Sequence, residues 1–123
     1  MKWREYKQRH KEDCLRCCVA FYFKIPYEKV PDFVKFKDWD DRLKRFFRRR
    51  GRKIEFYHYK PEMLKNKNKL YFVQGQSWRN KNWHHITIYK GKKRHFDPSH
   101  SNKFLKGKPK FILKVGIITK LSR

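Results

Sequence analysis

The sequence has few acidic residues and no long apolar run. It contains 11 Asp and Glu against 35 Lys and Arg in 123 residues, for a formal net charge of +24. No segment approaches the roughly 18 apolar residues of a membrane span, and the first residues lack the pattern of a signal peptide, so neither a membrane partner nor secretion is expected. Cysteine occurs only within residues 14–18, too close together for a disulfide framework. A reducing compartment, and therefore a cytoplasmic location, is predicted.

Aromatic residues, by contrast, are abundant. Phe, Tyr and Trp make up 18% of the chain, whereas disordered chains contain few of them. A length of 123 residues suits one domain. We therefore predict a single domain over residues 1–123, in which residues 102–123 form a basic C-terminal strand or tail. The excess positive charge then concerns partners rather than the fold.

A first helix is predicted over Cys14–Phe23. This segment is mostly apolar, Asp13 is a natural cap before it, and Pro26 prevents its continuation. The stretch from Pro26 to Phe33 contains two prolines and is expected to be a loop with one helical turn.

A second helix is predicted to begin at Asp38 or Asp40 and to end before Gly51. The arginines that precede Gly51 suit the negative end of the helix dipole. Its large apolar residues share one face at helical spacing: Trp39, Leu43, Phe46 and Phe47.

Five later segments have the pattern of β-strands. They are Lys53–Tyr59, Leu70–Val73, His84–Tyr89, Arg94–Phe96 and Phe111–Ile118. Gly91 lies between two of these segments and indicates a hairpin turn. Helices followed by strands predict an α+β domain with an antiparallel sheet.

Four residues are candidates for nucleophilic catalysis. Cys14 begins a predicted helix, where free backbone N–H groups favour a thiolate. A thiolate nucleophile needs a nearby base and a group that orients the base. His85 and Asp97 lie on successive strands of a predicted hairpin, so cross-strand pairing brings the carboxylate against the imidazole. Gln8 precedes the nucleophile helix and supplies a side-chain amide that, with the Cys14 backbone N–H, can bind an oxyanion.

These residues carry a family resemblance. Gln8, four intervening residues, Asp13 and Cys14 resemble the signature of the papain-like double-glycine leader peptidases, which process bacteriocins. The chain is more similar to short phage and prophage members of that superfamily, over about residues 8–101. The matching positions are Asp13–Cys18, Pro26, Val30–Phe33, Trp39, Gly75–Arg79, His85–Tyr89 and Asp97–His100.

The resemblance implies a papain-like fold in which a nucleophile helix packs on an antiparallel sheet. It implies that Cys14 is the nucleophile, His85 the base, Asp97 the residue that orients the base, and Gln8 an oxyanion donor. The implied reaction is hydrolysis of a peptide or amide bond in a peptide or protein substrate, without cofactor or metal. A phage-encoded protein would act in the host cytoplasm, with association with the virion as an alternative.

Several neighbouring residues have competing interpretations. Cys17 and Cys18 are interpreted as packing residues. His84 competes with His85 for the role of base, but strand alternation puts His84 on the core side with Ile86 and Ile88. Arg16, Ser77 and Arg79 are candidates for positions near the cleft. The remaining histidines are expected at the surface: His10, His58, His95 and His100.

The basic segments support an alternative function. Lys and Arg interleaved with aromatic residues are what phosphate contacts and base stacking require. A catalytically idle scaffold could then bind nucleic acid, or an acidic or virion partner, without sequence specificity. The best candidates for that contact are Arg45, Arg48, Arg49, Arg50, Arg52 and Lys53. A zinc site that joins Cys14 and Cys17 to His95 and His100 is disfavoured, because about eighty residues separate its halves.

Overall fold

The structure is a computed structural model that describes residues 6–9, 13–78, 84–100 and 103–118. Within these ranges the chain forms two helices and a five-stranded antiparallel sheet, as the α+β prediction requires. The helices are α1 (Cys14–Phe23) and α2 (Trp39–Arg48). The strands are β1 (Arg52–His58), β2 (Leu70–Gln76), β3 (His84–Lys90), β4 (Lys93–Phe96) and β5 (Lys106–Ile117). Their order across the sheet is β1-β5-β2-β3-β4.

Helix α1 has the predicted bounds. It ends because Lys24 adopts a left-handed conformation (φ 56°), from which its N–H reaches the carbonyls of Ala20 and Phe21. Pro26 follows, and two short 3-10 turns, Tyr27–Lys29 and Phe33–Lys35, occupy the stretch in which one helical turn was expected.

Helix α2 begins after Asp38, whose carboxylate pairs with Arg42 at 2.8 Å rather than with the backbone at the helix start. The predicted apolar face is confirmed, since Leu43, Phe46 and Phe47 are buried and Trp39 packs against them. Gly51 (φ 71°) follows the helix, as predicted. Neither helix in the described ranges has the length and apolar character that crossing a bilayer requires.

The sheet differs from the prediction mainly in β5, which begins at Lys106 instead of Phe111 and passes through Pro109. Proline lacks the N–H with which a residue of a central strand hydrogen-bonds to its neighbour, so Pro109 is an unusual residue at this position. The pairing of β2 with β5 shifts register between Gln74 and Gln76. At that shift a Cβ on Gly75 would lie 3.1 Å from Cδ1 of Leu105, closer than an ordinary contact. The absence of a side chain at Gly75 therefore gives Leu105 room beside the irregularity.

Apolar residues pack on both faces of the sheet. The larger cluster lies between the helices and the sheet, where Phe21 and Phe96 stack with ring centroids 4.1 Å apart. The smaller cluster consists of Leu64, Tyr71, Val73, Leu105 and Ile112. Because Phe96 is fully buried at the end of β4, the core fixes the backbone from which Asp97 projects.

Candidate active site

Cys14 is the first residue of α1 and is half-buried, whereas Cys17 and Cys18 are completely buried. The Cys14 thiol hydrogen-bonds to the imidazole of His85. Burial raises the pKa of both Cys17 and Cys18, and the Cys18 Sγ contacts the carbonyl oxygen of Ile86 at 3.4 Å. Cys14 is therefore the accessible thiol of the three and has a histidine neighbour, whereas Cys17 and Cys18 are packed in the interior.

His85 and Asp97 form a buried pair. The Nε2 of His85 lies 2.6 Å from Oδ1 of Asp97, and the two side chains are 6% and 0% exposed. The pairing of β3 with β4 places Ile88 opposite Phe96 and so brings the next residue, Asp97, back toward the start of β3. Since Nε2 is engaged by the carboxylate, Nδ1 is the ring nitrogen left for the thiol.

The protonation of His85 is set by opposing effects. Burial of the ring lowers its pKa, but the hydrogen bonds with Asp97 and Cys14 raise it, and the net result is a pKa of about 9. At neutral pH the ring therefore carries a proton and donates Nε2–H to Asp97.

Asp97 accepts three hydrogen bonds. Besides His85, its Oδ1 accepts the backbone N–H of Ser99 at 2.9 Å, and its Oδ2 accepts that of Phe104 at 2.8 Å. Burial raises the pKa of Asp97, but these three donors lower it, and the net shift is downward. The carboxylate is thus held in its charged form, with both oxygens fixed in direction.

Gln8 is buried next to the loop that follows Asp97. Its backbone N–H donates to the carbonyl of Pro98 at 2.8 Å, and Nε2 of His100 lies 2.9 Å from its carbonyl oxygen. Lys7 adds contacts from its Nζ to the carbonyls of Asp97 (2.7 Å) and Ser99 (3.1 Å). The chain before α1 is therefore joined to the loop that follows Asp97, and Gln8 lies beside that loop.

The sequence did not predict the set of contacts around Asp13, the residue before Cys14. The hydroxyl of Tyr27 donates to Oδ2 of Asp13 at 2.7 Å, and the same oxygen accepts the backbone N–H of Arg9 at 3.1 Å. Asp13 therefore does not cap α1 with its side chain, contrary to the prediction. The guanidinium groups of Arg9 and Arg16 lie 4.2 and 3.9 Å from the Tyr27 ring centroid.

This arrangement fixes the residue that precedes Cys14. Burial and the hydrogen bond to Asp13 raise the pKa of Tyr27 to about 12, so its hydroxyl stays protonated as a donor. Arg16 is half-buried and packs on Tyr27, and its Nε donates to the Tyr27 carbonyl at 3.3 Å.

Two histidines differ from their predicted environments. His84 shares a face with Ile86 and Ile88 but is exposed, because it begins β3 beyond the helix-covered core, and its Nδ1 lies 3.1 Å from Nε2 of Gln74. His95 is half-buried against the ring of Phe21 (centroids 5.8 Å apart) instead of lying at the surface, because it lies on β4 beside the core.

His58 and His100 are exposed, as expected. Ser77 is buried at the end of β2, and His10 and Arg79 lie outside the described residues. In the described ranges no group of three or more His, Cys, Asp or Glu side chains is arranged to hold a metal ion.

Comparison of the chain with protein-family models, with curated proteins and with solved structures gives no match.

Proposed function

We propose that this chain is a cysteine-dependent hydrolase of the papain-like type that cleaves a peptide or amide bond through Cys14. The observation that carries the proposal is the continuous set of contacts from the Cys14 thiol to His85 and from His85 to a buried carboxylate, Asp97. An accessible nucleophile, a base and a group that orients the base are the three parts that such catalysis needs.

The proposed reaction follows from the protonation of the pair. The Cys14 thiolate attacks the carbonyl carbon, and the oxyanion is bound by the Cys14 N–H together with the side-chain amide of Gln8. Protonated His85 then gives its proton to the leaving amine as the C–N bond breaks, which leaves a thioester on Cys14. Neutral His85 next removes a proton from water, the hydroxide attacks the thioester, and the released thiolate regains its protonated partner.

Asp97 has a specific part in this proposal. Its carboxylate fixes the ring so that Nδ1 faces the sulfur, and its charge stabilises the protonated ring formed in each cycle. The three hydrogen bonds it accepts keep that charge in place despite burial.

The experiment that tests the proposal measures the alkylation of each cysteine against pH. Trypsin cleaves after Arg16 and so separates Cys14 from Cys17 and Cys18, which allows mass spectrometry to follow each peptide after timed exposure of the folded protein to iodoacetamide. We expect Cys14 to react at about pH 6 and its two neighbours to stay unmodified, because only Cys14 is accessible and paired with an imidazolium.

The control is His85→Ala, in which the rate for Cys14 should rise only near the pH at which a free thiol ionises, about 8.5. A wild-type Cys14 that follows the same high-pH curve would remove the support for a hydrolase and favour the catalytically idle scaffold. Comparison of protein N-termini in cells that express wild type or Cys14→Ser then separates a peptidase, which creates new N-termini, from an amidase.

A further inference from the structure

Two aromatic side chains are exposed on β1, at the edge of the sheet farthest from β4. Phe56 is 38% and Tyr57 is 37% exposed, and because neighbouring strand residues point to opposite faces, one ring lies on each side of the strand. Large exposed rings on an edge strand invite association unless they have a ligand. Their exposure therefore needs an explanation that the catalytic proposal does not supply.

Cations surround both rings. The Nζ of Lys44, on α2, lies 5.5 Å from the Phe56 ring centroid, and the Nζ of Lys114, on β5, lies 5.8 Å from that of Tyr57. Phe56 is held in place by Trp39, whose ring is nearly parallel to it (17°) at 5.8 Å. The rings are thus oriented before any ligand arrives.

A groove of about 410 Å³ runs between α2 and β1 beside these rings. Its lining residues are Lys44, Arg48, Lys53, Ile54, Glu55, Phe56 and Tyr57. In the described part of the chain no carboxylate forms an ion pair with Lys44 or Arg48, and Lys53 makes only an exposed pair with Glu55 at 3.7 Å. The groove therefore combines an excess of positive charge with the Phe56 ring, which faces α2, whereas the Tyr57 ring lies on the opposite face of the same edge strand.

Four members of the predicted basic set do not line the groove: Arg45, Arg49, Arg50 and Arg52. Arg45 lies 3.9 Å from Asp38, the guanidinium of Arg50 packs on the Phe46 ring at 3.8 Å, and Arg52 bonds to the carbonyls of Arg50 and Gly51. Arg48 and Lys53 are the two that line the groove. We call the set Lys44, Arg48, Lys53, Phe56, Tyr57 and Lys114 the α2–β1 surface.

We propose that the α2–β1 surface binds single-stranded nucleic acid that passes over the edge of the sheet, with phosphates against Lys44, Arg48 and Lys53 and bases stacked on Phe56 on one face of β1 and on Tyr57 on the other. Cations fit any polyanion, but exposed rings fit bases, and only a single strand presents base faces for stacking. A chain of net charge +24 also attracts such a ligand from a distance.

This inference does not rest on the proposed function. The groove adjoins β1, whereas His85 lies on β3 and Asp97 directly after β4, with β5 and β2 between them in the sheet. Either activity can thus be lost without the other.

A second basic groove provides a matched control. It measures about 500 Å³, lies beside the turn between β3 and β4, and has no Phe, Tyr or Trp in its lining. Its cations include Lys92 and Lys93, so removing these two lowers the net charge as much as removing the charges of Lys44 and Arg48.

The experiment measures fluorescence anisotropy of a labelled oligothymidylate of about 20 nucleotides and of a duplex of equal length, over a salt series. We expect the wild type to bind the single strand about 10-fold more tightly than the duplex, because stacking is available only there. The variant Tyr57→Leu should lose most of that preference without a change in salt dependence.

The charge variants separate this surface from general attraction. Lys44→Gln with Arg48→Gln should lower the slope of log affinity against log salt by about 1.4, since two phosphate contacts are lost. Lys92→Gln with Lys93→Gln should change the affinity less than about 2-fold. Equal losses from the two pairs, an unchanged preference in Tyr57→Leu, or preferred binding of the duplex would overturn the proposal.

Two further measurements keep the result interpretable. Circular dichroism establishes that each variant is folded, and Tyr57→Leu is chosen because it leaves the Trp39–Phe56 stack intact. Alkylation of Cys14 should be unchanged in every α2–β1 variant, and Cys14→Ser should bind the oligothymidylate as the wild type does. Loss of both properties in one variant would mean that the two sites are not separate.

Discussion

Asp97 is the only acidic residue after Lys90, and it is buried in a strongly basic part of the chain. Its charge survives burial because three donors surround it, one of which is the backbone N–H of Phe104. Phe104 has a φ of 61°, a conformation that a residue with a side chain adopts at a cost of about 1 kcal/mol or more. The backbone is thus strained at Phe104, the residue whose N–H donates to the carboxylate of Asp97.

Substitution of the carboxylate by an amide should change the titration of His85. In Asp97→Asn, burial still lowers the pKa of His85 and Cys14 still raises it, but the charge of Asp97, which also raised it, is gone. We expect the pKa to fall from about 9 toward or below its ordinary value of 6.5. NMR titration of the imidazole nitrogens measures it.

The matched control is Asp38→Asn, which makes the same chemical change at an exposed carboxylate paired with Arg42. It should leave the titration of His85 as in the wild type. A His85 pKa that stays near 9 in Asp97→Asn would contradict the coupling described here.

At the residue scale, the sequence predicts contacts between residues of one local structural unit, such as a hairpin. His85 and Asp97 lie on one predicted hairpin, and the 2.6 Å contact agrees with that pairing. The contacts of Tyr27 with Asp13 and of Phe104 with Asp97 depend on how loops close in three dimensions. No pattern in composition or spacing encodes such closure, so these residues could not be found from the sequence.

Among the structural elements, the hairpin of β3 and β4 carries the tightest packing constraint. Gly91 (φ 60°) lies in its turn, and a Cβ there would come within 2.6 Å of the Cα of Lys67. The Gly91 N–H also donates to the carbonyl of Lys69 at 2.9 Å. The hairpin that carries His85 is therefore docked against the segment before β2.

Gly91→Ala should destabilise the protein by about 3 kcal/mol or more, because the positive φ and the backbone clash add together. Gly107→Ala is the control, since Gly107 also has a positive φ (77°) but nothing within 4 Å of its added Cβ. It should lower the free energy of unfolding by only about 1 to 2 kcal/mol. Urea denaturation of both variants measures the difference, and equal losses would show that the close approach to Lys67 has no cost.

At the element scale, the sequence predicts helices better than strand ends. The apolar run of α1 is bounded by Asp13 and Pro26, so its limits follow from local signals. The limits of β5 do not follow from local signals, because its first part, which contains Pro109, pairs with β2 only beyond the register shift between Gln74 and Gln76. The two strands are far apart in the sequence, so no local pattern predicts this pairing.

For the whole molecule, the buried pair makes stability depend on pH. The folded state holds the His85 proton more tightly than an unfolded chain does, since the pKa rises from 6.5 to about 9. The resulting stabilisation is complete below about pH 6.5 and is lost as the pH rises through about 9.

The Cys14 thiol also titrates in this range and would offset the effect of His85, so both proteins compared carry Cys14→Ser. We therefore expect Cys14→Ser to lose up to about 3 kcal/mol of unfolding free energy relative to Cys14→Ser with His85→Gln between pH 6.5 and 9.5. Titration of the many lysines also changes stability in this range, but equally in both proteins. Urea denaturation across the range measures the difference, and parallel curves for the two proteins would contradict the raised pKa.

The α+β class follows from the order of predicted elements, but the strand order does not. Strand β5 lies between β1 and β2, so the last strand along the chain is inserted beside the first. Nothing local distinguishes that arrangement from a simple succession of hairpins, because it depends on which apolar faces pack together across the whole domain.

The contacts of Lys7 and Gln8 with the loop at Asp97, Pro98 and Ser99 have a consequence for biosynthesis. Asp97 is added 83 residues after Cys14 (97 minus 14), which at 5–20 residues per second takes roughly 4 to 17 s. For most of that interval neither His85 nor Asp97 has been added, and the segment before α1 lacks the loop that it binds. During translation Lys7 and Gln8 can therefore take up their positions only after about four fifths of the chain has been synthesised.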